Sequence, residues 1–148
     1  MQISKKIEWC MGHRLPNHQG KCVNLHGHQY VLEVVLEGEV DTVKDSPSVG
    51  MVMDYGDLKN ILDEQVHEIC DHAFMVAESD SLMMDFYRKN SQLKHVVVAF
   101  ESTAENIAKW IFGRLREEIA ILPGKIELLS VQLWETPYNS ARVVGEFI

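Results

Sequence analysis

HGHQYVLEVVL, residues 26–36, decides how this chain folds. Its even positions carry His26, His28, Tyr30, Leu32, Val34 and Leu36, while Gln29, Glu33 and Glu37 punctuate the odd ones. A period of two places alternate side chains on opposite faces of a strand, so this is a strand with two histidines at one end of an otherwise apolar face. Two imidazoles on one side, two residues apart, are close enough to chelate one ion. Gly27 between them leaves the opposite side uncrowded.

Upstream, Ile3, Ile7 and Trp9 repeat the alternation and predict a partner strand. Between the two lies a loop, Met11 to Leu25, rich in the turn formers Gly12, Pro16, Asn17, Gly20 and Asn24. Downstream, residues 38–50 read as a loop, and Asp54 as the N-cap of a helix from about Tyr55 to Cys70, with Leu58, Ile61, Leu62, Val66 and Ile69 on one face. A short helix near Leu82 to Lys89 and a β-rich run from His95 to Phe100 follow. Ser102-Thr103-Ala104-Glu105 reads as a capping box opening a second long helix, with Ser102 as N-cap. After Pro123-Gly124, strands are expected at Ile126 to Trp134 and Ala141 to Ile148. The order ββααββ predicts one α+β domain over residues 1–148: a four-stranded antiparallel sheet with both helices on one face.

A chain of 148 residues with 46% hydrophobic and 24% charged side chains can build a core without disulfides. Its formal charge of -8 excludes a phosphate-backbone binder, which needs clustered Lys and Arg. The start, MQISKKIEW, has no signal-like apolar run, and no stretch approaches a membrane span, so a cytoplasmic location is expected. Cys10, Cys22 and Cys70 are an odd count that favours reduced thiols, with Cys10 and Cys70 expected to be buried as small hydrophobes.

His13 closes the first strand region, where an antiparallel neighbour would bring it opposite His26 and His28; His18 in the loop competes for that place. Three imidazoles with an open fourth position form the catalytic zinc pattern. Cys22, four residues before His26, could close such a site as a ligand or act beside it as a thiolate acid/base group, and spacing leaves both open. Asp71-His72 follows the first helix, where a carboxylate could orient an imidazole. Glu135 shares parity with Leu129, Val131 and Leu133, so its carboxylate projects from an apolar face and needs a partner with N–H donors. Arg14 and Lys21 supply local positive charge in the loop.

The pieces Gly12-His13-Arg14-Leu15, C-x-x-x-H-G-H at residues 22–28, Gly50 to Tyr55, Asp71-His72, Thr103 to Asn106 and Trp134-Glu135-Thr136 together resemble the 6-pyruvoyl-tetrahydropterin synthase and 6-carboxy-5,6,7,8-tetrahydropterin synthase group. The three-residue gap in C-x-x-x-H-G-H is similar to the carboxy branch, which serves queuosine precursor synthesis. The resemblance implies a tunnelling fold, in which sheets of several subunits (a hexamer, or a trimer or tetramer) join into a barrel with sites between subunits. It implies 7,8-dihydroneopterin triphosphate as substrate, a lyase reaction, and Zn2+ on His13, His26 and His28. Cys22 would be the acid/base thiolate and Asp71-His72 the opposing proton relay. Glu135 would hold the pterin ring, Thr103 and Glu105 would lie near it, and Arg14 and Lys21 would face the triphosphate. The chain departs from the group's habit at Cys10-Met11-Gly12, at Ser102, at Cys70 and in a longer segment 76–100.

Overall fold

Alternating strands and amphipathic helices assemble, in a computed structural model that describes residues 1–146, into one six-stranded mixed sheet with helices on both faces. The order along the chain is β1 (Gln2–His13), β2 (His26–Gly38), α1 (Tyr55–Leu62), α2 (Glu68–Cys70), β3 (Ala73–Ala77), α3 (Ser81–Lys89), β4 (His95–Val98), α4 (Ala104–Ala120), β5 (Ile126–Thr136) and β6 (Asn139–Val144). Across the sheet the strands run β4-β3-β1-β2-β5-β6. The four expected strands form the antiparallel part, and β3 and β4 add a parallel edge. The α+β class therefore stands, whereas the four-stranded arrangement does not. The last two residues of the expected final strand lie outside the described residues.

Register builds the core. Along β2, Tyr30, Leu32, Val34 and Leu36 are fully buried, each burial contributing roughly 1.5–3 kcal/mol. They meet Leu58 and Leu62 of α1, Val66 and Cys70 beyond it, and Ile107, Ile111 and Leu115 of α4. The second correction concerns α3, which packs Met83 and Tyr87 against Val76 and Phe74 in a separate cluster. Phe74 pairs with Gly12 while Ala73 pairs with the buried Met11, so Phe74 and Val76 point to the sheet face opposite α1 and α4.

Helix α1 does not run uniformly to Cys70. Asp63–His67 forms a π-helical turn before the last turn, α2. The buried side chains Leu58, Leu62, Val66 and Cys70 recur every fourth residue. In an α-helix of 3.6 residues per turn, that spacing rotates by about 40° at each step. A wider turn takes up the drift and keeps all four on the core.

Candidate metal centre and its surroundings

The β1–β2 ladder places His13 directly opposite His26, with Gly12 opposite Gly27 and Met11 opposite His28. All three imidazoles project from the helix-covered face, above Tyr30. Their ring centroids lie 4.6 Å apart for His13–His26, and 5.2 Å for both His13–His28 and His26–His28. One ligand atom from each falls within 4.8 Å of the others. The glycines permit this closeness: a Cβ on Gly27 would stand 2.9 Å from the Met11 carbonyl oxygen, and one on Gly12 would stand 2.8 Å from the Phe74 ring. A side chain at Gly27 would push β1 and β2 apart at the level of the histidines, whereas one at Gly12 would first displace the Phe74 ring of β3.

Two backbone carbonyls fix the tautomers. His13 Nδ1 donates to the Ser102 carbonyl at 2.7 Å, and His26 Nδ1 donates to the Asn24 carbonyl at 2.7 Å. Each ring then offers an unprotonated Nε2, the arrangement in which a second hydrogen bond orients a metal-binding imidazole. His13 Nε2 is buried and has no hydrogen-bond partner, which is costly for a polar atom unless something else binds it. Burial, with the neighbouring imidazoles, holds the His13 pKa down to about 4, and burial followed by His26 lowers that of His28. Neutral imidazoles with converging lone pairs suit a divalent metal. An orphaned nitrogen and a three-nitrogen donor set thus fit zinc.

Glu135 stands beside this cluster at the bulged end of β5, with Oε1 4.0 Å from His13 Nε2. Burial first and the charge of Glu105 second raise its pKa, while His26 lowers it. Glu105 itself is exposed. The N-cap of α4 is Thr103 and not Ser102: Thr103 Oγ1 accepts from Asn106 N–H at 3.3 Å. Ser102 is fully buried and turned to His13, with Oγ 3.2 Å from Nδ1. It is the functional neighbour that the sequence reading missed, disguised by a capping motif one residue out of place.

Cys22 is half-buried in the single turn Lys21–Val23, and its sulfur is outside the three-histidine set. His18, the rival ligand, is exposed and accepts from Gly20 N–H within its own turn. Arg14 directs its guanidinium to the buried Asp80, with bonds of 2.7 and 2.8 Å, while Lys21 is exposed. Cys70 is buried as expected, but Cys10 is exposed and donates its thiol to Gln29 Oε1 at 2.6 Å. Its parity puts it on the other face from Trp9 and Met11.

Asp71 and His72 lie on that exposed face as well. His72 Nδ1 donates to Asp71 Oδ2 at 2.9 Å, its side chain 80% exposed, and it shares a shallow depression with Cys10, Gly12, Gly27 and Gln29. The His72 hydrogen bond is the main reason the Asp71 carboxyl is held below the usual range. Within the chain the sheet separates this dyad from the imidazole cluster.

A profile of the 6-pyruvoyl tetrahydropterin synthase family matches residues 2–146. The chain belongs to that family. It is 38% identical over 139 residues to the 6-carboxy-5,6,7,8-tetrahydropterin synthase of Haemophilus influenzae, covering 92% of this chain and 93% of that one. The enzyme of the same name from Aquifex aeolicus is 37% identical over 165 residues, with 98% of each chain covered. The structure of 6-pyruvoyl tetrahydropterin synthase from Caenorhabditis elegans superposes with a TM-score of 0.68 at 27% identity, covering 99% of this chain and 96% of that one. Among the described residues, no helix is long and apolar enough to cross a membrane.

Proposed function

We propose that this chain is a 6-carboxy-5,6,7,8-tetrahydropterin synthase, a lyase that converts 7,8-dihydroneopterin triphosphate and water into 6-carboxytetrahydropterin, acetaldehyde and triphosphate. Relatives of that name match over nearly the whole length of the chain. The observation that carries the site is the buried, unpartnered Nε2 of His13 converging with His26 and His28. These three residues would hold zinc, which when bound acts as a Lewis acid that makes C–H bonds beside the substrate's hydroxyl oxygens easier to deprotonate.

The chain's own groups supply the rest. Glu135, short of donors in a half-buried place, accepts the paired N–H edge of a pterin, and that contact restores its charge. Cys22, on the short turn leading into His26, serves as the thiolate that removes a proton from the side chain. Asp71 fixes the His72 tautomer through Nδ1, leaving Nε2 to exchange a proton from the opposite side. Since His72 and the imidazole cluster occupy opposite faces of one sheet, a site using both draws His72 from a second copy, consistent with a homo-oligomer whose sites lie between subunits. Thr103 and Glu105, at the start of α4, would lie near the pterin, with the Glu105 charge felt at Glu135. Lys21 is the exposed cation of the loop for the triphosphate, and Arg14 shapes that loop through Asp80.

The test is turnover of 7,8-dihydroneopterin triphosphate by the zinc-loaded protein and by Cys22→Ala. Acetaldehyde should be released by the first and lost in the second while zinc stays bound. Formation of 6-pyruvoyl-tetrahydropterin without acetaldehyde would move the chain to the other branch of the family.

A further inference from the structure

Resting on the reading of Asp71-His72 as the proton relay, we propose that Lys94 is a positioning residue that sets where His72 presents its imidazole. His72 is one of two non-glycine residues with a positive φ among the described residues, at 59°. A non-glycine side chain in the left-handed region is strained and persists only where its surroundings enforce it. The His72 ring is 80% exposed and is held through Nδ1 by Asp71, so the backbone turn and that one bond decide where Nε2 lies.

Lys94 grips that turn on both sides. Its ammonium donates to the Glu68 carbonyl at 2.8 Å and to the Asp71 carbonyl at 2.6 Å, the residue just before His72. Its own carbonyl accepts from Phe74 N–H, two residues after His72, at 3.3 Å. The remaining anchors come from β1: His72 N–H donates to the Cys10 carbonyl at 2.8 Å, and Cys10 N–H donates to Asp71 Oδ1 at 3.2 Å. A lysine that only capped a helix end would satisfy free carbonyls near the last turn. Lys94 also brackets the strained residue across 22 positions of sequence, from a loop that leads into β4.

The experiment compares wild type, Lys94→Met, Lys94→Arg, His72→Ala and the double variant Lys94→Met/His72→Ala, all zinc-loaded, for kcat, KM and metal content. Misplacing a reacting group by about 1 Å can cost up to about 100-fold, so Lys94→Met should lose about 10- to 100-fold in kcat with KM and zinc unchanged. Lys94→Arg, which keeps the charge and the donors, should recover most of the loss. In the His72→Ala background, Lys94→Met should have no further effect, because the group it positions is gone. Nuclear magnetic resonance supplies a readout apart from activity: the His72 amide and Cβ shifts should leave their left-handed values in Lys94→Met and return in Lys94→Arg. Unchanged kcat and unchanged His72 shifts in Lys94→Met, or an equal loss with and without His72, would overturn the positioning role while leaving the relay intact. Wild-type turnover by His72→Ala would instead remove the relay and the role of Lys94 with it.

Discussion

Replacing Asp80 with Ala tests how the loop beside the imidazole cluster is held. Asp80 is 3% exposed and accepts two bonds from the Arg14 guanidinium, whose side chain is 14% exposed, and it also caps α3 by accepting from Met83 N–H at 3.3 Å. Breaking a buried pair by removing one partner costs about 3 kcal/mol, because the other charge is left without compensation. Loss of the N-cap adds about 1 kcal/mol. For a domain of this size each kcal/mol lowers the melting temperature by about 2–4 °C, so the variant should melt about 8–16 °C below wild type. The effect also has a pH signature. The Arg14 hydrogen bonds, above all, hold the Asp80 carboxyl below the ordinary carboxylate range in the folded protein. Its contribution is therefore complete above the unfolded value of about 3.9 and is lost as pH falls through the depressed folded value. The gap between wild type and variant, measured by thermal melts from pH 7 downward, should narrow only in that acid window. A cooperative melt within about 3 °C of wild type at pH 7 would refute the reasoning, since it would mean that the guanidinium finds water or another acceptor at no cost.

Replacing His13, His26 or His28 singly with Ala should reduce bound zinc at least tenfold, measured by elemental mass spectrometry. Far-UV circular dichroism should stay at the wild-type signal, because the β1–β2 ladder is held by the twelve paired positions from Gln2 to His13 and not by the metal. A spectrum that collapses on chelation would favour a structural zinc module. Thiol labelling should distinguish the three cysteines: exposed Cys10 and half-buried Cys22 react in the native state, whereas Cys70, fully buried and with its pKa pushed up to about 12, reacts only in denaturant. Native labelling of Cys70, located by peptide mass spectrometry, would contradict its place in the core.

The imidazole cluster was legible because it depends on two local rules, strand parity and antiparallel neighbourhood, which act within residues 13 to 28. The partners that tune it were not. Ser102 reaches His13 across 89 positions, and Asp80 reaches Arg14 across 66. Nothing near either residue signals the contact. Strands β3 and β4 escaped a firm placement for another reason. In β3, Met75 enters the main core while Val76 enters the α3 cluster, so both faces are covered and the run AFMVA lacks the alternation of a half-exposed strand. At five and four residues, β3 and β4 are also too short for their pattern to stand out. The capping motif misled by one residue, since Ser102 and Thr103 are both good caps, and tertiary demand on Ser102 left the role to Thr103.

The π turn at Asp63–His67 bears on how this chain can vary in length. Removing one residue from it would change the buried series from every fourth position to offsets of zero, four, seven and eleven, the stripe of an unbroken α-helix. The core face would survive, and the helix end that leads to Asp71 would keep its direction. Single-residue gaps against relatives are thus expected to collect in this turn, because the loss of one residue there leaves a regular α-helix. Here the helix carries one spare residue, and sequence drift can spend it without moving the groups beyond.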